Sequence, residues 1–265
     1  MQVVIVIPAR YASKRFPGKP LHVIAGRSMI ERVHSIANSL TQVSEVLVAT
    51  DDERILAEVK RFGGRAVSTS HDCTNGTERV FEAVSNLDSK PDIVINFQGD
   101  TPLTPPSVLE DLIAVMRSDS EVEIATPAVR LSVDELERFK ESKQVTPSSG
   151  CTVVFDKNKD ALYFSKAIIP FVRTTPADGP PVWRHLGIYG YRFSALEKYL
   201  SLEPSSLELV EGLEQLRALE NGMKIRIVPT DLKGRRLWSV DSPEDAQRVE
   251  AILAEQGELK LSTKS

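Results

Sequence analysis

The sequence predicts an α/β fold built on a mostly parallel central sheet, and three observations carry that prediction. Apolar, strand-like runs recur at 2–7, 45–49, 92–97 and 123–128. Helical periodicity fills the gaps between them, so successive strands are joined by crossover helices, which are right-handed in such folds. Three strand ends also carry polar groups that a parallel arrangement would deliver to one edge: Ala9-Arg10, Thr50-Asp51-Asp52 and Gln98-Gly99-Asp100. Open sheets of this type bind ligands beyond the carboxyl ends of their strands.

The elements follow in order. Val3-Val4-Ile5-Val6-Ile7 is a β-branched run that breaks at Pro8 into a loop carrying Arg10, Lys14, Arg15 and Lys19 with no acidic residue among them. Pro8, Pro17 and Pro20 stiffen that loop, and Gly18 allows it to turn. Forked Arg donors and Lys point charges on a rigid loop make a cradle for phosphates, although the loop alone is also compatible with a solvated basic surface. Met29, Ile30, Val33, Ile36, Ala37 and Leu40 share one helical face, as do Ile55, Leu56, Val59 and Phe62, the latter helix stopping at Gly63-Gly64. Val80, Phe81, Val84 and Leu87 mark a third helix, opened by Asn75-Gly76-Thr77-Glu78-Arg79. A fourth is expected from Pro105-Pro106-Ser107, with Ser107 and Glu110 spaced as a capping box.

The stretch 130–185 is less regular and reads as an insertion that covers the site or contacts a second subunit, within one domain spanning 1–265. Strands are expected at 152–156, 188–193 and 224–229. One long helix is expected over about 206–221, with Leu209, Val210, Leu213, Leu216 and Leu219 on its apolar side. The last helix opens at Ser242-Pro243-Glu244-Asp245, with a cap, a first-turn proline and acids at the positive end. The tail after about Gly257 reads as frayed.

Composition narrows the function classes. The 265-residue chain has 33 basic and 37 acidic residues, a formal charge of −4. That balance argues against a nucleic-acid binder and makes the basic opening loop a local feature suited to a small anion. Two cysteines, Cys73 and Cys151, provide neither a disulfide framework nor a cysteine-rich zinc site. No apolar run approaches the roughly 20 residues that span a bilayer, and the chain begins without a signal-peptide layout, so a cytoplasmic location is expected.

Several residues could carry chemistry. Asp100, after an apolar strand in Asn96-Phe97-Gln98-Gly99-Asp100, suits a magnesium ion shared with substrate phosphates, or else caps the helix that follows. Asp241 lies at a second such junction and is either a helix-start residue or the partner of Asp100 around that ion. The backbone N–H groups at Asn75-Gly76 could take a phosphate, ribose or base edge, or simply start a helix. His185 is either a core histidine or a ligand-facing one, and Glu214 and Gln215 are either a solvated pair or a polar edge of the site. No glycine-rich dinucleotide fingerprint follows the first strand, and no serine, histidine and aspartate context suggests a triad.

Together these segments resemble the 3-deoxy-manno-octulosonate cytidylyltransferases, the CMP-Kdo synthetases. The resemblance rests on Ile7-Pro8-Ala9-Arg10-Tyr11 through Lys19-Pro20-Leu21, Ala49-Thr50-Asp51-Asp52, Gly76-Thr77-Glu78-Arg79, and Asn96-x-Gln98-Gly99-Asp100-x-Pro102. It continues in Ala161-Leu162-Tyr163-Phe164-Ser165, Arg184-His185-Leu186-Gly187-Ile188-Tyr189-Gly190-Tyr191, Leu213-Glu214-Gln215-Leu216-Arg217 and Val240-Asp241-Ser242-Pro243-Glu244-Asp245. These matches run in order over about residues 3–253.

The resemblance implies a Rossmann-like nucleotidyltransferase fold with an inserted lid or dimerisation segment, a homodimer, and the use of CTP and Mg2+. It implies that Ala9, Arg10, Ser13, Arg15 and Lys19 hold the triphosphate, with Asn75, Gly76 and Gln98 near the nucleotide. Arg10, Lys19, Asp100 and Asp241 would be catalytic, the two aspartates as metal ligands. Gln98, Lys166, His185, Tyr189, Glu214 and Gln215 would face the sugar acid. Its anomeric hydroxyl would attack the α-phosphorus of CTP, a step that needs positioning and charge neutralisation. The product would feed lipopolysaccharide or capsule. The chain departs from the family pattern at Thr101, Asn75, Lys166 and Ser148-Ser149-Gly150-Cys151-Thr152. Several of these fall where the acid is expected, which leaves Kdo, its 8-amino relative and a nonulosonate open as acceptors. A non-catalytic nucleotide-binding paralogue is the reading from a different class.

Overall fold

The computed structural model describes residues 1–13 and 15–262; Lys14 of the basic loop and residues 263–265 lie outside them. The chain forms two compact units, Met1–Ile113 with Leu232–Ser265, and Ala114–Asp231.

The first unit begins with β1 (Val3–Pro8) and a short 3-10 turn (Lys19–Leu21), then the small hairpin β2 (Val23–Ile24) and β3 (Arg27–Ser28). Next come α1 (Met29–Asn38), β4 (Glu45–Thr50), α2 (Glu53–Arg61), β5 (Arg65–Ser68), α3 (Gly76–Ser85) and β6 (Ile93–Asn96). Helix α4 (Pro106–Ser118) starts in this unit. The four long strands pair in parallel in the order β5-β4-β1-β6. All six residues of β1 are buried, as a β-branched strand with parallel neighbours on both sides requires. α1 turns Met29, Ile30, Val33, Ile36 and Ala37 inward, as its periodicity predicts.

The second unit contains β7 (Ile124–Arg130), α5 (Val133–Val145), β8 (Cys151–Phe155), β9 (Ala161–Ser165), β10 (Trp183–His185) and β11 (Tyr189–Arg192). It ends with α6 (Phe193–Leu200), α7 (Ser206–Glu211), α8 (Gln215–Glu220) and β12 (Ile225–Pro229). β7 is its centre. β12 runs parallel to β7, and β10 and β11 run antiparallel to it. β8 pairs with both β10 and β9. The first unit is completed by α9 (Pro243–Gln256) from the C-terminal segment. Its Ala246, Val249, Ile252 and Leu253 pack with Phe16, Ile24, Met29, Leu103 and Val240.

Four expectations need correction. The helix expected over 206–221 is two short helices, because Gly212 takes a left-handed conformation (φ 63°) and breaks it. Leu209 and Val210 are 72% and 85% exposed, whereas Leu216 is buried, so the expected apolar face does not exist as one stripe. α4 begins at Pro106, which leaves Ser107 inside the helix and not at its cap. The tail is tied at its start: Glu258 pairs with the buried Arg32 at 2.9 Å, and Arg235 donates to the carbonyls of Gln256 and Gly257. Finally, 130–185 is more regular than it reads, since it holds α5, β8, β9 and β10. β5, with its half-exposed pattern, gave no periodic signal.

Candidate active site

In the first unit, the parallel register sets Pro8 beside Ala49 and Val6 beside Asn96, so the polar ends of β1, β4 and β6 do share one edge. The loop after β1 is held by its apolar residues: Phe16 and Pro20 are buried, while Arg10 and Arg15 stay exposed. Ala9 extends the pairing through its N–H to Ala49 O, 2.9 Å, and Ser13 Oγ accepts from Phe16 N. Arg54 lies over the Tyr11 ring and bonds Asp52, which steadies the middle of the loop.

Lys19 is the centre of this arrangement. Its Nζ lies 2.9 Å from Asp100 Oδ2 and 3.4 Å from Asp241 Oδ1, and Arg15 reaches the same Asp241 oxygen at 3.2 Å. The backbone joins the two aspartate segments directly, Val240 N donating to Asp100 O at 2.9 Å. Asp241 is aimed by α9: Asp245, the N3 residue of the Ser242 capping box, accepts from the N–H groups of Asp241 and Ser242. Gly99 permits the close approach of this turn, because a Cβ there would lie 3.0 Å from Pro8 O. Two carboxylates gathered around one positive charge form an oxygen donor set of the kind hard divalent cations prefer. Among the described residues no group of three or more His, Cys, Asp or Glu could hold a metal, so the remaining ligands would have to come from substrate and water.

On the same unit Asn75 caps α3, its side chain accepting from Glu78 N at 2.9 Å and donating to Glu78 Oε1. Gly76 sits over Pro8, and a Cβ there would lie 3.3 Å from Pro8 Cγ and 3.7 Å from Gln98 Oε1. Gln98 Nε2 is held by Asn96 Oδ1, and Thr101 Oγ1 donates to Gln98 O. Thr101, where the resemblance leads one to expect a carboxylate, therefore closes the turn. The pair Asp51–Arg79, with His71 on the same Asp51 oxygen, was not singled out from sequence although both residues lie in the quoted segments.

The residues expected to face a sugar acid, apart from Gln98, fall in the second unit. His185, at the end of β10, is buried between the rings of Phe164 (5.0 Å) and Tyr189 (5.4 Å). Burial pushes its pKa down to about 3, so the ring is neutral, and burial raises Tyr189 well above the usual phenol value. Gln215 is buried at the start of α8, with Nε2 3.9 Å from Cys151 Sγ; Glu214 precedes it, and its carbonyl accepts from Tyr199 OH. Lys166 is positioned by Glu211, whose carboxylate accepts from Lys166 N (2.8 Å) and Ser165 Oγ (2.7 Å). The half-buried Lys143 ammonium bonds the carbonyls of Pro147, Ser149, Gly150 and Lys166. Sequence reasoning missed Glu211 and Lys143, which lie on helices with no motif around them. Burial pushes Cys151 up to about 12, and burial with Glu82 pushes Cys73 to about 11, so neither thiol is a nucleophile near neutral pH.

Comparison with known proteins gives the family. Residues 4–225 match the family described as cytidylyltransferase. A 3-deoxy-manno-octulosonate cytidylyltransferase of Maricaulis maris (strain MCS10) is 54% identical over 259 residues, covering 98% of this chain and 100% of that one. An 8-amino-3,8-dideoxy-manno-octulosonate cytidylyltransferase of Shewanella pealeana is 42% identical, covering 96% and 99%. The structure of a CMP:2-keto-3-deoxy-manno-octonic acid synthetase complexed with CTP superposes with a TM-score of 0.85 at 38% identity, covering 97% of this chain and 100% of that chain. By sequence and by fold, this chain belongs to the cytidylyltransferase family.

Proposed function

We propose that the protein transfers the cytidylyl group of CTP to the anomeric hydroxyl of a 3-deoxy-2-ulosonic acid, Kdo or a close relative, with Mg2+ as cofactor. The observation that carries this reading is the convergence of Lys19, Asp100 and Asp241 beside the basic loop. The names of the similar proteins support CTP and an octulosonate as substrates. In the reaction a bond forms between the anomeric oxygen and the α-phosphorus, and the α–β bridging P–O bond breaks. Pyrophosphate leaves, and the hydroxyl proton passes to solvent.

Arg10, Ser13, Arg15 and Lys19 would bind the triphosphate and spread its charge, and Asn75, Gly76 and Gln98 would contact the nucleoside. Asp100 and Asp241 would hold Mg2+, which supplies Lewis-acid neutralisation of the phosphates. Lys19 would then exchange the carboxylates for phosphate oxygens, leaving the aspartates to the ion. Gln98, Lys166, His185, Tyr189, Glu214 and Gln215 would orient the acid. A homodimer, a cytoplasmic location and the use of 130–185 as a cover or subunit contact complete the proposal. Among the described residues no helix is long and apolar enough to cross a membrane.

The test is pyrophosphate release from CTP and Mg2+ with Kdo, 8-amino-3,8-dideoxy-manno-octulosonate and a nonulosonate. Turnover with one acid names the acceptor. CTP binding without turnover on any of them would favour a non-catalytic paralogue.

A further inference from the structure

The ammonium of Lys143, in the last turn of α5, takes no part in the proposed reaction. Four backbone carbonyls converge on it. Nζ lies 3.2 Å from Pro147 O and 3.1 Å from Gly150 O, and nearer still to Ser149 O and Lys166 O. The sequence after α5 turns three of these oxygens inward. Ser149 N and Ser149 Oγ both donate to Thr146 O, which closes a tight turn. Gly150 then takes φ 65°, and a Cβ there would lie 2.7 Å from Phe139 Cε2, so the position is shaped for glycine. The fourth oxygen, that of Lys166, comes from just beyond the end of β9.

The oxygens are neutral. Among the described residues no carboxylate pairs with Lys143, and Glu211 attracts it only from a distance. Burial, with the nearby Lys166 and Arg184 charges, holds its pKa below the ordinary lysine value. Carbonyls only accept, however, so the cage itself requires a cation. An ammonium has three protons, and with four acceptors one of them is shared. Rings of backbone carbonyls hold K+ in place of its water shell, and an ammonium is close to K+ in size. A divalent ion would want carboxylates in the set. On the far side of the cage the chain is gripped at successive peptide groups. Lys166 N donates to Glu211 Oε2 at 2.8 Å and Ala167 N to Ser165 Oγ at 2.9 Å, while Ala167 O accepts from Thr152 Oγ1 at 2.7 Å. Lys166 Nζ, by contrast, makes no hydrogen bond among the described residues. A fixed backbone thus carries an uncommitted charge.

We propose that the carbonyls of Pro147, Ser149, Gly150 and Lys166 form a monovalent-cation site that Lys143 fills from within the chain, and that this resident cation positions Lys166. Without a cation the four oxygens would repel one another, and the 146–150 segment would open away from Lys166. With the side chain cut back, K+ or a small alkylammonium takes the vacated place. The site rests on geometry alone, and the consequence for the acceptor acid rests on the proposed function.

The test compares full-length native protein and Lys143→Ala in potassium, methylammonium and tetramethylammonium chloride at equal ionic strength. In tetramethylammonium, too large for the cage, the variant is expected to show a KM for the acid raised roughly three- to tenfold, one hydrogen bond's worth, with KM for CTP unchanged. Potassium or methylammonium is expected to restore it saturably, and the native protein to be indifferent to the cation. The melting temperature of the variant is expected to be higher in potassium than in tetramethylammonium by about 2 °C or more. The same melting temperature in all three salts overturns the site. A KM for the acid that ignores the cation, or an equal rise in both KM values, overturns the positioning of Lys166. If Lys143→Ala fails to fold, reductive methylation of the native protein decides. Lys143 is expected to react at least about tenfold more slowly than Lys140 on the same helix, and equal rates overturn the site. Were no acid turned over even by the native protein, the proposed function and the positioning would fall together, while melting and methylation would still decide the site.

Discussion

At the scale of the residue, charge pairing and burial do the explaining. Asp100 and Asp241 were legible because each follows an apolar stretch and precedes a helix start, and the structure brings both to the Lys19 ammonium. Asp100→Asn should lower the rate of pyrophosphate release at least about a hundredfold with an unchanged far-UV circular dichroism spectrum. Lys143 was not legible, since a lysine in the last turn of a helix reads as a solvated charge and only the fold of 146–150 turns carbonyls toward it. His185 also makes a stability prediction. Its pKa lies near 3 when folded and near 6.5 when unfolded, so between those values the unfolded chain binds the extra proton. Stability is therefore lost as pH falls from about 6.5 toward 3. Melting temperatures of the native protein should drop in that window more steeply than those of His185→Gln.

Among the elements, caps and glycines decide where the sequence reading succeeds. The Ser242 start signal was read correctly because it is local, four residues long: Ser242 is the N-cap and accepts from Asp245 N, Pro243 opens the first turn, and Glu244 and Asp245 lie in it. Ser242→Ala should cost about 1 kcal/mol, a loss of roughly 2–4 °C in melting temperature for a chain of this size. It should also raise the Mg2+ concentration at half-maximal rate, because Asp245 aims Asp241. The 206–221 reading failed for the complementary reason. Its leucines repeat at helical spacing, but Gly212 and the Glu208–Arg217 pair, 2.6 Å apart, favour a break that periodicity cannot register. Ser107 was mistaken for a cap because a proline pair obscures which residue starts the helix.

For the whole molecule, alternation of strand and helix was enough to give the parallel sheet of the first unit, since buried parallel strands are continuous apolar runs. The division into two units was not visible, because the change to antiparallel pairing at β7 leaves the hydrophobic pattern of the strands unaltered. Chelation of Mg2+ should stop pyrophosphate release reversibly, yet barely move the melting temperature, as Lys19 already neutralises the carboxylates. Calorimetry with and without chelator checks this. The order of the segments has a consequence for synthesis. The first unit takes its opening 113 residues from the start of the chain and its Val240, Asp241 and α9 from the end. A nascent chain stopped at residue 231 has the whole second unit, but Phe16, Ile24, Met29 and Leu103 lack the helix they pack against. The unit that begins first along the chain is thus the last to close, and the carboxylate pair is assembled only after the whole second unit has been made.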